Sequence, residues 1–257
     1  MSSSCFQIRK LSRRRFLLQG CATLGTALWM SACQRRSTST QEAKNSNLGD
    51  RALSLQSINV PPTNGKEPTC LMVCLHGWGA NSQDLEPLAP VMNLPDCEFL
   101  FPDAPFPHPD VPGGKMWYDL DSQDYRGLGE SRQRLIDWLN SLEGSTGVPL
   151  SRTILAGFSQ GGAMTLDVGL TLPLAALVSL SGYLHSQPQS AAGNSLPPIL
   201  IVHGRQDRVV PLSAAQKARD SLTALGASVK YQEFNMGHEI LPAVLALVRG
   251  FVLDVVN

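Results

Sequence analysis

Short apolar runs alternate with amphipathic stretches along most of the chain, from about residue 52 onwards. The run CLMVCL at 70–75 is unbroken by any charged or amide side chain, as is typical of a parallel strand covered on both faces. Further short strands are predicted at 53–60, 98–101, 153–156, 176–180, 199–202 and 229–234. Helices are predicted at 82–91 and 131–142, and from residues 161, 213 and 239 onwards. This alternation predicts an α/β protein with a mostly parallel central sheet and helices on both faces.

The last predicted helix, residues 240–255, is apolar enough to raise the question of a membrane span. It is shorter than the ~20 residues that a spanning helix needs. Pro242, Arg249 and Asp254 also interrupt its apolar character. The pattern therefore predicts a closing helix packed against the core.

The first 33 residues have a different pattern, in which a basic start precedes an uncharged, moderately apolar stretch at 16–32. This layout is typical of an export signal. The segment SRRRFL at 12–17 resembles a twin-arginine signal, and MSAC at 30–33 resembles a lipoprotein cleavage site with Cys33 as the lipidated residue. We therefore expect export by the twin-arginine route, with membrane association through a lipidated N-terminus. A plain secretory signal with an incidental cysteine, giving a periplasmic or secreted protein, stays open.

A polar tether separates this signal from the main domain. Residues 34–51 are rich in Ser, Thr and Asn and almost without apolar side chains, which predicts a flexible linker before a single domain at 52–257. The chain has 21 basic and 21 acidic residues, but residues 1–36 hold seven of the basic ones and no acidic one. The remainder is therefore acidic overall, which argues against nucleic acid as a partner.

Three cysteines lie in the main domain. Cys70 and Cys74 are four apart in one predicted strand, roughly 13 Å, which is too far for a bridge. Cys70 and Cys97 each begin a predicted strand, so their thiols would meet if those strands were parallel neighbours. The pattern favours burial as small hydrophobic side chains over a disulfide. No cysteine or histidine cluster has the spacing of a metal site, and no metal is predicted.

The segment AGFSQGG at 156–162 places three glycines around Ser159, directly after a predicted strand. A nucleophilic serine projects from a sheet when its strand turns at once into a helix, and side chains beside it would then collide. Glycine at 157 and 161 removes those side chains, so the segment matches the Gly-x-Ser-x-Gly nucleophile elbow. The short pattern is weak evidence until a base and an acid are found.

A base and an acid are expected later in the chain, because elbow enzymes follow the order Ser, Asp or Glu, His. His238 is the histidine that follows the last predicted strand, where its loop can return over Ser159. Asp207 comes just after an apolar strand, whereas Asp167 and Asp220 fall within predicted helices. These positions predict a triad of Ser159, Asp207 and His238. The developing oxyanion would meet the backbone N–H groups of Trp78 and Gln160.

These residues, in this order, resemble the acyl-protein thioesterase, phospholipase and carboxylesterase family of α/β hydrolases over about residues 67–255. The matching segments are LHGWG at 75–79, WYD at 117–119, GFSQGGAM at 157–164, LSGYL at 180–184, His203–Gly204 with Asp207 and VVP at 209–211, and Gly237–His238. The resemblance implies an α/β-hydrolase fold and a serine carboxylesterase or acyl thioesterase that needs no metal or cofactor. It implies the same triad and oxyanion donors. Trp78 replaces the family's usual leucine, and Ala80 stands where aspartate is common.

The sequence also suggests what surrounds the reacting serine. The loop at 102–116 carries five prolines and follows a strand, so we expect it on the rim of the active site. Tyr183 and Leu184 follow another strand and are candidates for the acyl site, with buried scaffold roles left open. The expected substrate is a small acyl ester, thioester or lysophospholipid. The alternative is a non-catalytic, surface-anchored binding protein on a hydrolase scaffold.

Overall fold

The computed structural model describes residues 55–189 and 195–256. The predicted export signal at 1–33, the predicted lipidation at Cys33 and the predicted linker at 34–51 lie outside the described residues. The region that follows corresponds to the predicted domain at 52–257.

The strands of the described residues are β1 Ser57–Val60, β2 Cys70–Leu75, β3 Cys97–Pro102, β4 Phe106–Pro107, β5 Lys115–Met116, β6 Thr153–Phe158, β7 Ala176–Leu180, β8 Ile199–Gly204 and β9 Val229–Phe234. Seven of these strands form the central sheet, in the order β1-β3-β2-β6-β7-β8-β9. Among them, β1 at one edge is antiparallel to its neighbour, and the other adjacent pairs are parallel. A separate two-stranded hairpin pairs β4 with β5. The mostly parallel sheet predicted from the apolar runs is confirmed.

Helices cover both faces of this sheet, as the alternation of elements predicts. Along β2, successive side chains enter two different hydrophobic clusters, with Leu71 and Val73 in one and Met72 in the other. The α-helices of the described residues are α1 Ser82–Leu85, α2 Leu88–Met92, α3 Leu128–Thr146, α4 Gln160–Gly169, α5 Leu212–Ala224 and α6 Pro242–Val256. The first cluster takes its helical side chains from α3, α4 and α5, and the second from α1, α2 and α6.

The single helix predicted at 82–91 is wrong, because the structure divides it into α1 and α2. Pro87 lies between the two helices and has no amide hydrogen to continue the hydrogen-bond ladder. Asn81 begins α1 with a capping box, in which its side chain accepts from Gln83 N–H and the Asp84 side chain accepts from Asn81 N–H. Local chain chemistry therefore decides both the start and the end of this short element.

Helix α6 packs against the core, as predicted, with Val244, Val248 and Val252 buried along one face. The helix was predicted to begin before Pro242, whereas in the structure Pro242 is its first residue. Proline is well tolerated there because the first amide of a helix has no partner within the helix. Within residues 55–189 and 195–256, no helix combines the length and apolar character needed to cross a membrane.

Cys70 and Cys97 form a disulfide, so the prediction that favoured separate buried thiols is wrong. The two residues are register partners at the first positions of the parallel neighbours β2 and β3, with their Cα atoms 4.6 Å apart. That separation lies within the range a disulfide requires. The pairing of β2 with β3, which the sequence left open, is what brings the thiols together.

Replacing both bridge cysteines with alanine should lower the free energy of unfolding by about 3.5 kcal/mol. The bridge joins two residues with a sequence separation of 27. Without it, the unfolded chain gains the conformational entropy that the closed loop had removed, which favours unfolding. Urea denaturation of Cys70→Ala/Cys97→Ala measures the change against the wild type. Cys74→Ala, which removes the buried free thiol nearby, is the matched control. An unchanged free energy of unfolding in the double variant would contradict the prediction.

Candidate active site

Ser159 occupies a strained turn between β6 and α4. Its backbone has φ 56° and ψ −117°, a conformation that L-residues rarely adopt. A Cβ atom on Gly157 would lie 2.2 Å from the Gly161 carbonyl oxygen, and one on Gly161 would lie 2.3 Å from the Leu75 carbonyl oxygen. Neither approach is sterically tolerable, so both positions require glycine. The turn has the geometry of a nucleophile elbow.

His238 and Asp207 meet beside this turn. The His238 Nδ1–H donates to Asp207 Oδ2 at 2.7 Å, and the Asp207 side chain is fully buried. The other carboxylate oxygen accepts from the amides of Val209 and Val210, at 2.8 and 2.9 Å. Burial alone would raise the pKa of Asp207, but the hydrogen bonds from His238 and these two amides outweigh it and lower the pKa. The carboxylate is therefore ionised near neutral pH and fixes one tautomer of His238.

The topology of the sheet places Asp207 and His238 at the same sheet edge as Ser159. Ser159, Asp207 and His238 follow β6, β8 and β9, whose carboxyl ends lie at one edge of the parallel sheet. The His238 ring packs on that of Phe158, the residue before the serine, with 4.7 Å between ring centroids. Because Nδ1 is bound to the carboxylate, Nε2 is the nitrogen of His238 left to accept a proton.

The loop after β2 lies directly against the elbow. A Cβ atom on Gly77 would come 3.4 Å from Ser159 Cβ, so the Gly77–Trp78 peptide stands beside the serine. Gln160, next to Ser159 in the chain, is the first residue of α4, and the first amides of a helix have no partner within it. The two predicted oxyanion donors, Trp78 N–H and Gln160 N–H, therefore belong to two separate segments that adjoin Ser159.

The proline-rich loop predicted for the rim packs on this loop after β2, which carries one of the predicted oxyanion donors. Gly79 N–H donates to the Lys115 carbonyl oxygen and Lys115 N–H donates to that of Ala80, both at 2.8 Å. The indole ring of Trp78 packs on the imidazole of His108, with 4.7 Å between centroids. Trp78, one of the two positions at which this chain departs from the resembled family, therefore adds an aromatic contact to these backbone hydrogen bonds between the two loops.

Two other histidines near the site are engaged in the scaffold. His76 is fully buried, its Nδ1–H donates to the Gly77 carbonyl oxygen at 2.8 Å, and its Nε2 accepts from Ala104 N–H at 3.0 Å. His203 is also fully buried, and its Nε2 donates to the Val210 carbonyl oxygen at 2.9 Å, while its Nδ1 has no hydrogen-bond partner among the described residues. Both rings are buried in the scaffold, whereas the His238 side chain is partly exposed.

Tyr183 and Leu184, the predicted acyl-site residues, have scaffold contacts. The hydroxyl oxygen of Tyr183 is 2.6 Å from that of Tyr118, and Leu184 packs against the hydrophobic cluster of β2, α3 and α4. Burial raises the pKa of the Tyr183 hydroxyl well above its usual range. Contact of either side chain with an acyl group stays a prediction.

Sequence reasoning missed a charged cluster on the elbow helix, in which the Asp167 side chain is mostly buried and that of Arg132 is partly exposed. Asp167 on α4 has one carboxylate oxygen 2.6 Å from a guanidinium nitrogen of Arg132 and 2.6 Å from His185 Nδ1. Burial would raise the pKa of Asp167, yet its contacts with His185 and Arg132 lower it. These residues are far apart in sequence, so no local pattern reveals the cluster. It explains why Asp167, although acidic and close to Ser159 in the chain, belongs to the scaffold.

No group of three or more His, Cys, Asp or Glu side chains is arranged to hold a metal ion within residues 55–189 and 195–256. The site as described consists of a serine, an imidazole, a carboxylate and backbone amides. Such a set is suited to acyl transfer by a nucleophilic serine.

Comparison with known proteins agrees with this geometry. The family model described as phospholipase/carboxylesterase matches residues 60–255. Over 202 residues, the chain is 31% identical to acyl-protein thioesterase 1 of Neurospora crassa, covering 70% of this chain and 81% of that protein. It is 26% identical over 223 residues to lysophospholipase-like protein 1 of Mus musculus, covering 79% of this chain and 92% of that protein.

Solved structures give the same result. The crystal structure of esterase PE8 superposes with a TM-score of 0.72 at 30% identity, covering 79% of this chain and 99% of that chain. A carboxylesterase from Bacillus cereus has a TM-score of 0.69 at 15% identity, covering 82% and 99%, which supports the fold alone. The chain belongs to the phospholipase/carboxylesterase family of α/β hydrolases and is a serine hydrolase of carboxylic esters or thioesters.

Proposed function

We propose that Ser159, His238 and Asp207 hydrolyse an acyl ester or thioester through an acyl-enzyme intermediate. The observation that carries this proposal is the short contact between His238 Nδ1 and the buried Asp207 carboxylate, beside a serine held in a strained turn. A serine hydroxyl is a poor nucleophile until a base takes its proton and an acid orients that base. All three groups are present here in the required chain order.

The reaction proceeds in two acyl transfers. Ser159 Oγ attacks the carbonyl carbon while His238 Nε2 takes the hydroxyl proton, and the carbonyl oxygen becomes an oxyanion between the amides of Trp78 and Gln160. Collapse breaks the bond to the leaving group, which receives the proton from His238. Water then attacks the acyl-serine with His238 as base, releasing the acid and restoring Ser159. The ionised Asp207 stabilises the imidazolium that forms in each half.

The proposed substrate is a small or single-chain acyl compound, such as a short ester, a thioester or a lysophospholipid. The names of the relatives, a thioesterase, a lysophospholipase-like protein and esterases, support this range. Trp78 is larger than the leucine usual in the resembled family, and its ring packs on that of His108 in the proline-rich loop. We expect this larger side chain to narrow the acyl site, and therefore expect faster turnover of short acyl chains than of long ones.

The proposed location is outside the cytoplasmic membrane, reached by the twin-arginine route and held there by a lipid on Cys33. The Cys70–Cys97 disulfide supports an oxidising compartment, because such bridges are rare in the cytosol. The basic and apolar pattern of residues 1–33 supports export. Metabolic labelling with a radioactive fatty acid should give a labelled wild type and an unlabelled Cys33→Ala. Label retained by Cys33→Ala would refute lipidation at that residue.

A panel of p-nitrophenyl esters and acyl thioesters of graded chain length, with a lysophospholipid alongside, tests the proposed function. The purified protein should turn over the acetyl and butyryl substrates faster than the long-chain ones. A protein that binds these compounds but releases no product would support the alternative of a non-catalytic binding protein. A preference for long chains would contradict the proposed effect of Trp78.

A further inference from the structure

One peptide group, between Gly77 and Trp78, carries both the Gly77 carbonyl and the Trp78 N–H. The two bonds of a trans peptide point in opposite directions in one plane, so whatever holds the carbonyl also aims the N–H. The Gly77 carbonyl oxygen accepts from His76 Nδ1 at 2.8 Å and from Ala80 N–H at 3.3 Å. The orientation of the proposed oxyanion donor is therefore set from behind by the His76 imidazole.

The His76 ring is itself locked in one tautomer. Its Nε2 lies 3.0 Å from the Ala104 N–H, which can only donate, while its Nδ1 faces a carbonyl oxygen, which can only accept. The ring therefore carries its proton on Nδ1. Burial lowers the pKa of His76, which keeps the ring neutral and preserves this arrangement at neutral pH.

The carbonyl group of His76 is also held by a hydrogen bond from a buried side chain. The indole N–H of Trp117 donates to the His76 carbonyl oxygen at 3.0 Å, and Trp117 is fully buried. The backbone N–H of Trp117 donates to Gln160 Oε1 at 2.9 Å, and Gln160 Nε2 donates to the Tyr118 carbonyl oxygen at 2.8 Å. Since Gln160 carries the other proposed oxyanion donor, Trp117 links the two donor-bearing elements directly.

We propose that His76 and Trp117 are positioning residues of the oxyanion hole, with His76 aiming the Trp78 N–H and Trp117 fixing its distance from the Gln160 N–H. The proposal rests on the proposed roles of Trp78 and Gln160 as oxyanion donors. His76 and Trp117 act on the reaction through these backbone amides. A second hydrogen bond at the Gly77 carbonyl also polarises the peptide, which strengthens the N–H as a donor.

A matched pair of variants separates this role from simple core packing. His76→Asn places an amide N–H at the position of Nδ1 and keeps the donor to the Gly77 carbonyl. His76→Gln places a carbonyl oxygen at the position of Nε2, which keeps the acceptor for Ala104 N–H and loses the donor to Gly77. Both variants shrink the buried ring, so a packing role predicts similar losses in the two.

The measurement is steady-state turnover of p-nitrophenyl butyrate, together with inhibition by an alkyl trifluoromethyl ketone, whose serine adduct bears an oxyanion. His76→Gln should lower kcat by about 10- to 100-fold and leave KM within about threefold of the wild type. Its affinity for the ketone inhibitor should fall by a factor similar to that of kcat. His76→Asn should restore most of both values. Equal losses in the two variants, or wild-type kinetics in His76→Gln, would overturn the role of His76.

Trp117→Phe tests the second half of the proposal, because it removes the indole N–H and keeps an aromatic ring. We expect a fall of about tenfold in kcat and in ketone affinity. Trp138→Phe makes the same chemical change in α3, within the same hydrophobic cluster, and should leave both within about twofold. Equal effects of the two tryptophan variants would reject Trp117 as a positioning residue. Ser159→Ala in the same assay tests the proposed function separately. If Ser159→Ala is inactive while the His76 and Trp117 variants behave like the wild type, the proposed function stands and only the positioning role fails.

Discussion

Replacing Ser159 with alanine should lower kcat for p-nitrophenyl butyrate by at least about 10⁴-fold, with little change in KM. Ser159 lies in the strained turn, and alanine removes the hydroxyl that is proposed to form the acyl-enzyme while fitting the same space. Remaining turnover would come from the oxyanion amides and from binding alone. Ser145→Ala, in the last turn of α3, is the matched control and should retain wild-type kinetics.

The same experiment extends to the base. His238→Ala should cost about as much as Ser159→Ala, and the double variant should be no slower than either single one, because serine and base act as one unit. Asp207→Asn should lower kcat by about 10⁴-fold by favouring the wrong tautomer of His238. If the losses in kcat of the two single variants multiplied in the double variant, Ser159 and His238 would not act as one nucleophile–base unit.

The second large effect concerns folding. Gly157→Ala should lower the free energy of unfolding by more than 4 kcal/mol, roughly the upper end for single substitutions. The new Cβ atom would lie 2.2 Å from the Gly161 carbonyl oxygen, and backbone on the first turn of α4 cannot rotate away as a side chain can. Urea denaturation followed by circular dichroism measures the loss, and we expect little folded protein at 37 °C.

Gly250→Ala is the matched control for this prediction. Gly250 lies within α6, and a Cβ atom there would have no heavy atom within 4 Å. Alanine should stabilise the protein by about 0.5–1 kcal/mol, because it restricts the unfolded chain and favours the helix. A Gly157→Ala protein as stable as Gly250→Ala would show that the elbow can relax without glycine.

The parallel sheet could be predicted because its strands are continuous apolar runs, and a run such as β2 is stable only when both faces are covered. The position of the elbow could be predicted from Gly157 and Gly161, since a sharp strand-to-helix turn at a serine requires glycine on both sides. Chain order, together with positions just after predicted strands, then selected Asp207 and His238. The structure brings these two side chains together beside the elbow, and their catalytic roles stay predictions until activity is measured.

What the sequence could not predict depends on which strands become neighbours. The Cys70–Cys97 bridge requires β2 and β3 to be neighbours in register. The sequence of an apolar strand does not indicate which other strand it will pair with. The contacts of His76 with Ala104 and Trp117 join loops that follow different strands, so no local spacing reveals them. The break of the first helix at Pro87 is different, because proline chemistry was visible in the sequence and outweighed the apolar periodicity.

The most direct test of the central claim is the site of covalent capture by a fluorophosphonate, which reacts with an activated serine. After stoichiometric inhibition of the full protein, peptide mass spectrometry should place a single phosphonyl adduct on Ser159, and His238→Ala should react far more slowly. An adduct on another residue would contradict the assignment of Ser159 as the nucleophile. So would a Ser159→Ala variant whose remaining esterase activity the same reagent abolished.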